Sequence, residues 1–229
     1  MAKFFMPTKG PEDWRGFLSS PATQWRTGYS AKTLAHCWEA AGGFPESVSR
    51  VFADSGFPVL RDMEFLIGLP EHQTFLVGGR RPSQSDIFVL ASTEKDLITI
   101  TVEGKVNEEF GPLIGDWKED GSKGKRERLA DLRKRLKLSR TGVDHIRYQL
   151  LHRTASTLIE AERFHATSAV MLVHSFSQEH KWFEDYQAFV GLFGKSAEPD
   201  SATYFGFRDG IALYTAWVVG EPKFLLHDC

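Results

Sequence analysis

Cysteine is scarce: Cys37 and Cys229 are the only two in 229 residues. A pair placed so far apart supports neither a disulfide framework nor a zinc site. No run of 18 apolar residues occurs, so no transmembrane helix and no membrane role are expected. The first residues, MAKFFMPTKGPEDW, lack the long apolar stretch of a secretory signal. These absences together read as a reduced, cytoplasmic protein. Familiar catalytic motifs are missing too. There is no H-E-x-x-H, paired C-x-x-C or G-x-S-x-G, and Gly78-Gly79-Arg80-Arg81 is not a Walker loop. His174, Ser175 and His180 are neighbours in sequence, which does not make a catalytic triad.

What is present is an ordinary globular balance, 41% hydrophobic and 25% charged, with 18 Phe and six Trp to fill a core. No repeat or domain boundary is visible, and one domain is expected. The net charge of −2 hides an asymmetry. Residues 122–140 hold nine Lys/Arg against Glu127 and Asp131, so that segment carries about +7 and the rest about −9. It reads as a helix, with Leu129, Leu132 and Leu136 on one side. Lys123, Lys125, Arg126, Arg133 and Lys134 could grip a nucleic-acid backbone, or simply form a solvated face. Trp117 and Phe110 nearby could stack on bases or pack in the core.

The most informative stretch is 85–111, SDIFVLASTEKDLITITVEGKVNEEFG, which reads as two strands joined by a polar turn at 93–96. A symmetric turn is centred between Glu94 and Lys95 and sets Asp86 across from Glu103. Opposed residues on antiparallel strands share a face, with Cβ atoms about 5 Å apart. Lys105 falls two residues further along that face. Two adjacent carboxylates repel, and a divalent cation such as Mg²⁺ or Mn²⁺ is the natural counter-charge. Asp86 and Glu103 are thus candidate metal ligands, and Lys105 a candidate to orient or deprotonate an attacking water. A surface hairpin with an incidental Glu–Lys pair would carry the same residues without chemistry. Ile98, Ile100, Val102 and Val106 alternate with Thr99, Thr101, Glu103 and Lys105, implying one packed and one more polar face.

Around this hairpin the periodicity predicts an aromatic-rich N-terminal arm (1–30), a helix at 31–41 capped by Ser30, and a short helix from Pro45. One or two strands with a turn at 70–73 follow, running on through Phe75–Val77. After the hairpin come the basic helix, a helix over 143–165 with Asp144 near its start, and a buried strand at 168–176. A helix over 179–193 and a hairpin turning at Asp209-Gly210 complete the chain. The order α, β, β, β, α, β plus an extension describes an α/β or α+β domain with a mixed sheet. The aromatics from Phe183 to Trp217 could form a homodimer interface.

Asp86 with Glu103-Gly104-Lys105, in this order of elements, resembles the PD-(D/E)xK nuclease superfamily, the restriction-endonuclease-like fold. Ser85 stands where the motif's proline would. The resemblance covers residues 31–176, with 177–229 outside it, and implies Mg²⁺-dependent hydrolysis of DNA or RNA, or a non-catalytic binding protein that keeps the fold. The superfamily often adds an acid on the first core helix, which implies Glu39, with Glu64 and Glu71 as rivals. Some members place a glutamine on the helix after E-x-K, which Gln149 matches in part. Arg147 lies in the apolar stripe of that helix and either reaches the site or pairs with a structural acid. His152 is either a general base or a hydrogen-bonded structural histidine. The stretches VEGKVNEEFG and RYQLLHRTAS also resemble a bacterial family of uncharacterised proteins.

Overall fold

The computed structural model describes residues 8–226, so expectations resting on residues 1–7 and on Cys229 lie outside the described residues. In chain order the elements are α1 (Pro21–Gln24), α2 (Ser30–Ala41), α3 (Glu46–Asp54), α4 (Pro58–Arg61), β1 (Glu64–Thr74), β2 (Ser83–Ser92) and β3 (Leu97–Lys105). Then follow α5 (Ile114–Trp117), α6 (Lys123–Arg135), α7 (Tyr148–Phe164), β4 (Ser168–Ser175), α8 (Phe183–Gly191), β5 (Ser201–Arg208) and β6 (Ile211–Val219). The six strands form one sheet in the order β1-β2-β3-β4-β6-β5. The β1–β2, β2–β3 and β5–β6 pairs are antiparallel, while β4 runs parallel to both β3 and β6. The helix, three strands, helix, strand order is the one expected from the sequence, and the α+β architecture with a mixed sheet follows from it.

Local chemistry explains the hairpins. Thr93 Oγ1 accepts from the backbone N–H groups of Lys95 and Asp96, closing the β2–β3 turn. The register runs from Ser92↔Leu97 to Ile87↔Val102, symmetric about Glu94 and Lys95. At the β5–β6 turn Asp209 and Gly210 both have positive φ, 49° and 90°, as a two-residue type I′ loop requires. All eight residues of β4 are buried. It lies inside the sheet with both faces covered, hence its unbroken apolar run.

Each sheet face carries a core. On one, Ile98, Ile100 and Val102 pack with Leu34, Trp38, Val48 and Val51, and the N-terminal arm adds Trp14 and Trp25. On the other, Leu150, Leu151 and Leu158 of α7 pack with Ala169, Met171 and Val173 of β4 and with Trp217. In the first core Trp38 Nε1 donates to His174 Nδ1 at 3.1 Å. Burial pushes the His174 pKa down to about 3, so this imidazole is neutral.

Several expectations are corrected. Residues 70–73 do not turn. They continue β1, an edge strand, where Pro70 is tolerated because its missing N–H need not face a partner. Phe75 and Val77 are not in a strand and are 75% and 51% exposed. The polar side of β3 is not open: Thr99 and Thr101 donate to the Thr157 and Arg153 carbonyls of α7, which covers it. Helix α7 starts at Tyr148 instead of 143, because 113–115 bonds to 144–147 and holds that segment in a turn at 144–145 followed by a bridge at Arg147. Asp144 therefore pairs with Lys118 instead of sitting at a helix start. Helix α8 starts at Phe183, after Trp182 at φ 67°. Ser30 is the first residue of α2, with Tyr29 in the cap position. Among the described residues no helix is long and apolar enough to cross a membrane. Tyr186, Phe189, Phe205 and Trp217 fill the second core, which leaves Phe207 as the large exposed aromatic of that region.

Candidate active site

The site forms where the β2–β3 ladder stops. The last pair is Ile87↔Val102, one step short of Asp86 and Glu103. Asp86 does not become a ladder partner of Glu103. Its carboxylate takes the place of a backbone acceptor, and Oδ2 receives the Gly104 N–H at 2.7 Å. Gly104 suits this position: a Cβ there would lie 3.2 Å from Leu34 and 3.3 Å from Asp86 Oδ2. Asp86 thus meets the Glu103-Gly104-Lys105 segment through its middle residue.

Helix α7 supplies the other half. Gln149 and Arg153 are four residues apart, so they share one helix face, and that face lies over β3. Glu103 Oε1 accepts from Lys105 Nζ at 2.8 Å and from Gln149 Nε2 at 2.5 Å. Its Oε2 accepts from Arg153 Nε at 2.6 Å. Lys105 Nζ also donates to Gln149 Oε1 at 3.1 Å and lies 4.9 Å from the centroid of the Phe110 ring. Arg153 goes on to donate to Ser83 Oγ at 2.8 Å. Glu103, Lys105 and Arg153 are all buried, so their charges are matched inside the protein.

A third acid enters from β1. The β1–β2 ladder pairs Pro70 with Ile87 and His72 with Ser85, passing over both Glu71 and Asp86. Glu71 has φ 52°, a left-handed conformation that costs a non-glycine residue about 1 kcal/mol. Its Oε2 accepts from Gln84 Nε2 at 2.8 Å. Glu71, Asp86, Glu103, Lys105, Gln149 and Arg153 line one cleft of about 380 Å³, walled on the far side by Leu18, Gln24 and Tyr29 of the N-terminal arm.

The carboxylates differ electrostatically. Burial pushes Asp86 up to about 7, and the Glu103 charge adds to the rise against Arg153, Lys105 and the Gly104 N–H. Burial, then repulsion from Asp86, holds Glu71 well above the usual carboxylate range. Glu103 feels the same burial, but Arg153 and Lys105 outweigh it and keep its pKa low. One carboxylate is firmly ionised and two resist ionisation. Among the described residues, no three His, Cys, Asp or Glu are gathered as a ready metal-ligand set.

A family model for a domain of unknown function, DUF6946, matches residues 7–222. The chain belongs to the DUF6946 family. That match takes in every residue of the cleft and agrees with the uncharacterised family anticipated from the sequence. No curated protein matches the chain, and no solved structure matches it.

In this DUF6946 protein the remaining sequence candidates lie elsewhere. Glu39 accepts from Trp14 Nε1 at 2.7 Å and tethers the N-terminal arm instead of lining the cleft. The acid that does line it is Glu71. Arg147 pairs with Asp185 and Glu109, both at 2.9 Å, because it precedes the first turn of α7 and points away from β3. His152 shares a 2.9 Å hydrogen bond with Ser83, and burial together with the Arg153, Arg128 and Lys105 charges pushes its pKa well below the usual value. It is neutral and structural. On the basic helix, Arg133 caps its C-terminal end through the Leu138, Ser139 and Thr141 carbonyls. Lys123, Arg126 and Lys134 are exposed, and Lys125 pairs with Asp120. Phe110 is buried in the second core, while Trp117 is half-buried and stacked on Tyr148 with centroids 4.0 Å apart. Arg153 went unrecognised in the sequence, although its spacing of four from Gln149 carried the signal.

Proposed function

We propose that this chain is a metal-dependent nuclease that hydrolyses phosphodiester bonds of DNA or RNA. The observation that carries the reading is the seam at Gly104: Asp86 bonded to its N–H, with Glu103 and Lys105 on either side in one cleft. A divalent cation suits the residues present. Asp86 has its Oδ1 free of the described hydrogen bonds, and Glu71 likewise has its Oε1. Glu103 has three of about four lone-pair sites in use. Burial raises Asp86 and Glu71 first, and the neighbouring carboxylates, Glu103 and Asp86 respectively, add a repulsion that a cation would relieve. Asp86 and Glu103 would hold Mg²⁺ or Mn²⁺, with Glu71 within the same cleft. The bound metal would supply an acidified water and neutralise charge on the phosphate.

The protein's own groups do the rest. Lys105 has three N–H donors and uses two of them, on Glu103 and Gln149. The third is left to orient the attacking water or to steady a phosphate oxygen. Gln149 fixes both Glu103 and Lys105, and Arg153 keeps Glu103 ionised.

A plasmid and single-stranded oligonucleotides, incubated with Mg²⁺ or Mn²⁺, test the reading by comparing the wild type with Lys105→Ala. Cleavage that disappears in the variant supports it. A wild type that cuts neither substrate sinks it, given unchanged nucleic-acid affinity in Asp86→Ala with metal present. The second reading is a non-catalytic nucleic-acid- or protein-binding member of the fold. It is favoured by the three donors already placed on Glu103.

A further inference from the structure

Beside the acidic cleft lies a second cavity of opposite charge. It is about 310 Å³ and is lined by Gly78, Gly79, Arg80, Arg81, Trp117, Lys125 and Arg128. Its loop is built to a defined shape. Arg128, buried, donates from Nε to the Val77 carbonyl and from Nη2 to the Arg81 carbonyl, at 3.0 and 2.9 Å. Gly78 has φ 78°, and its backbone lies so close to Gly124 of α6 that a Cβ on either glycine would clash with the other's carbonyl. The loop is therefore docked on the first turn of α6.

What this docked loop presents is cationic. Arg80 and Arg81 are exposed, and neither side chain has an ion pair or hydrogen bond among the described residues. Lys125 lies 5.4 Å from the Trp117 ring centroid and is matched by a single acid, Asp120. Trp117, which also lines the cavity, stacks on Tyr148, and Tyr148 directly precedes Gln149 of the acidic cleft. Ser83, two residues after Arg81, accepts from Arg153 of the same cleft. It stands three residues, about 10 Å of strand, from Asp86. The two cavities thus flank the N-terminal end of α7.

We propose that this cavity binds a phosphate of the nucleic-acid strand whose neighbouring segment enters the acidic cleft. The inference rests on the nuclease reading for what the strand does next, but its binding step is independent of cleavage. Two guanidiniums with no acid of their own suit a phosphodiester, whose oxygens accept their forked donors. In the acidic cleft Lys105 and Arg153 are already committed to Glu103, so a cationic anchor at its rim supplies the affinity for a polyanion that the cleft lacks.

The test uses the full chain in EDTA, with a fluorescein-labelled 20-nucleotide single-stranded oligodeoxynucleotide followed by anisotropy at several salt concentrations. Arg80→Ala/Arg81→Ala should weaken binding about tenfold or more at low salt and lower the salt slope by up to about 1.4, roughly 0.7 for each cation removed from a single strand. Arg50→Ala/Lys195→Ala removes the same charge from exposed positions elsewhere and should change little. Circular-dichroism melts confirm that both variants fold. Inorganic phosphate should displace the strand no better than chloride at matched ionic strength; displacement by millimolar phosphate makes the site one for free phosphate and overturns the proposal. Equal losses in the two double variants overturn it as well. A wild type that binds in this Arg80/Arg81-dependent manner but never cuts removes the nuclease reading and leaves the strand site standing.

Discussion

Arg153 Nε reaches Glu103 Oε2 at 2.6 Å, and both side chains are almost wholly excluded from solvent. The pair joins α7 to β3 and fixes the ionisation of the carboxylate at the centre of the cleft. Removing one partner of such a pair leaves a buried charge that Lys105 alone must match. Arg153→Met is expected to lose about 3 kcal/mol of stability. Adding Glu103→Gln to it should recover part of that loss. Urea denaturation of the two variants measures both, and a single variant as stable as wild type would show that the pair contributes no net stabilisation.

Asp86 imposes a pH dependence of definite sign. Its folded pKa of about 7 lies above the unfolded value of about 4. Between these values the folded chain holds a proton that the unfolded chain has released, so stability falls as pH rises through that window. Asp86→Asn keeps an acceptor for the Gly104 N–H and removes the titration. Without metal, the variant should exceed wild type in stability at pH 8, with the margin shrinking toward pH 4. Glu71, also raised, leaves a residual slope of the same sign. A variant less stable than wild type at pH 8 would contradict this.

Metal binding should appear as stabilisation linked to these same acids. Millimolar Mg²⁺ is expected to raise the melting temperature of the wild type at pH 8, where Asp86 is ionised, more than at pH 5. The increment should vanish in Asp86→Asn and diminish in Glu71→Gln. An equal increment in all three proteins would place the cation elsewhere.

Lys105→Ala should lower nuclease turnover by about 10²–10⁴-fold if its third N–H serves the reacting water or phosphate. Single-turnover cleavage with excess protein gives the number. A loss that appears only in substrate affinity would recast Lys105 as a binding group.

Gly78→Ala tests the docked loop without reference to activity. The new Cβ would meet the Gly124 carbonyl and sit at positive φ. A loss of roughly 2 kcal/mol is expected by thermal or chemical denaturation. A neutral outcome would mean that the loop moves off α6 at little cost.

Much of the fold was legible because its signals are local. Turn symmetry about Glu94 and Lys95 gave the β2–β3 register, and Asp209-Gly210 gave the last hairpin. The unbroken apolar run gave β4. The misreadings arose where a distant segment overrides local pattern. Proline marks a turn in isolation, yet Pro70 belongs to an edge strand, which no local window reveals. The stripe over 143–147 looks helical until 113–115 pairs with it. The central triplet of the site, Asp86, Glu103 and Lys105, could be read from the hairpin alone. Glu71 entered only as a rival to Glu39, since its place depends on a distorted strand, and the helical spacing of Arg153 from Gln149 became a site role only through how α7 is rotated above β3. Glu39 illustrates the opposite hazard: a suitably placed helix acid whose carboxylate is claimed by an indole.

The charged residues of the cleft come from the β1–β2–β3 meander and from α7, the last helix of the long β3-to-β4 crossover. In chain order the β1–β2–β3 meander comes first, and the two side chains that hold Glu103 from the other side, Gln149 and Arg153, come more than forty residues later on α7. Of the side-chain bonds that Glu103 and Lys105 make, all but the one between the two of them come from α7. The same helix that packs the second core thus fixes the central carboxylate of the cleft, so a change that loosens that core would also loosen the candidate site.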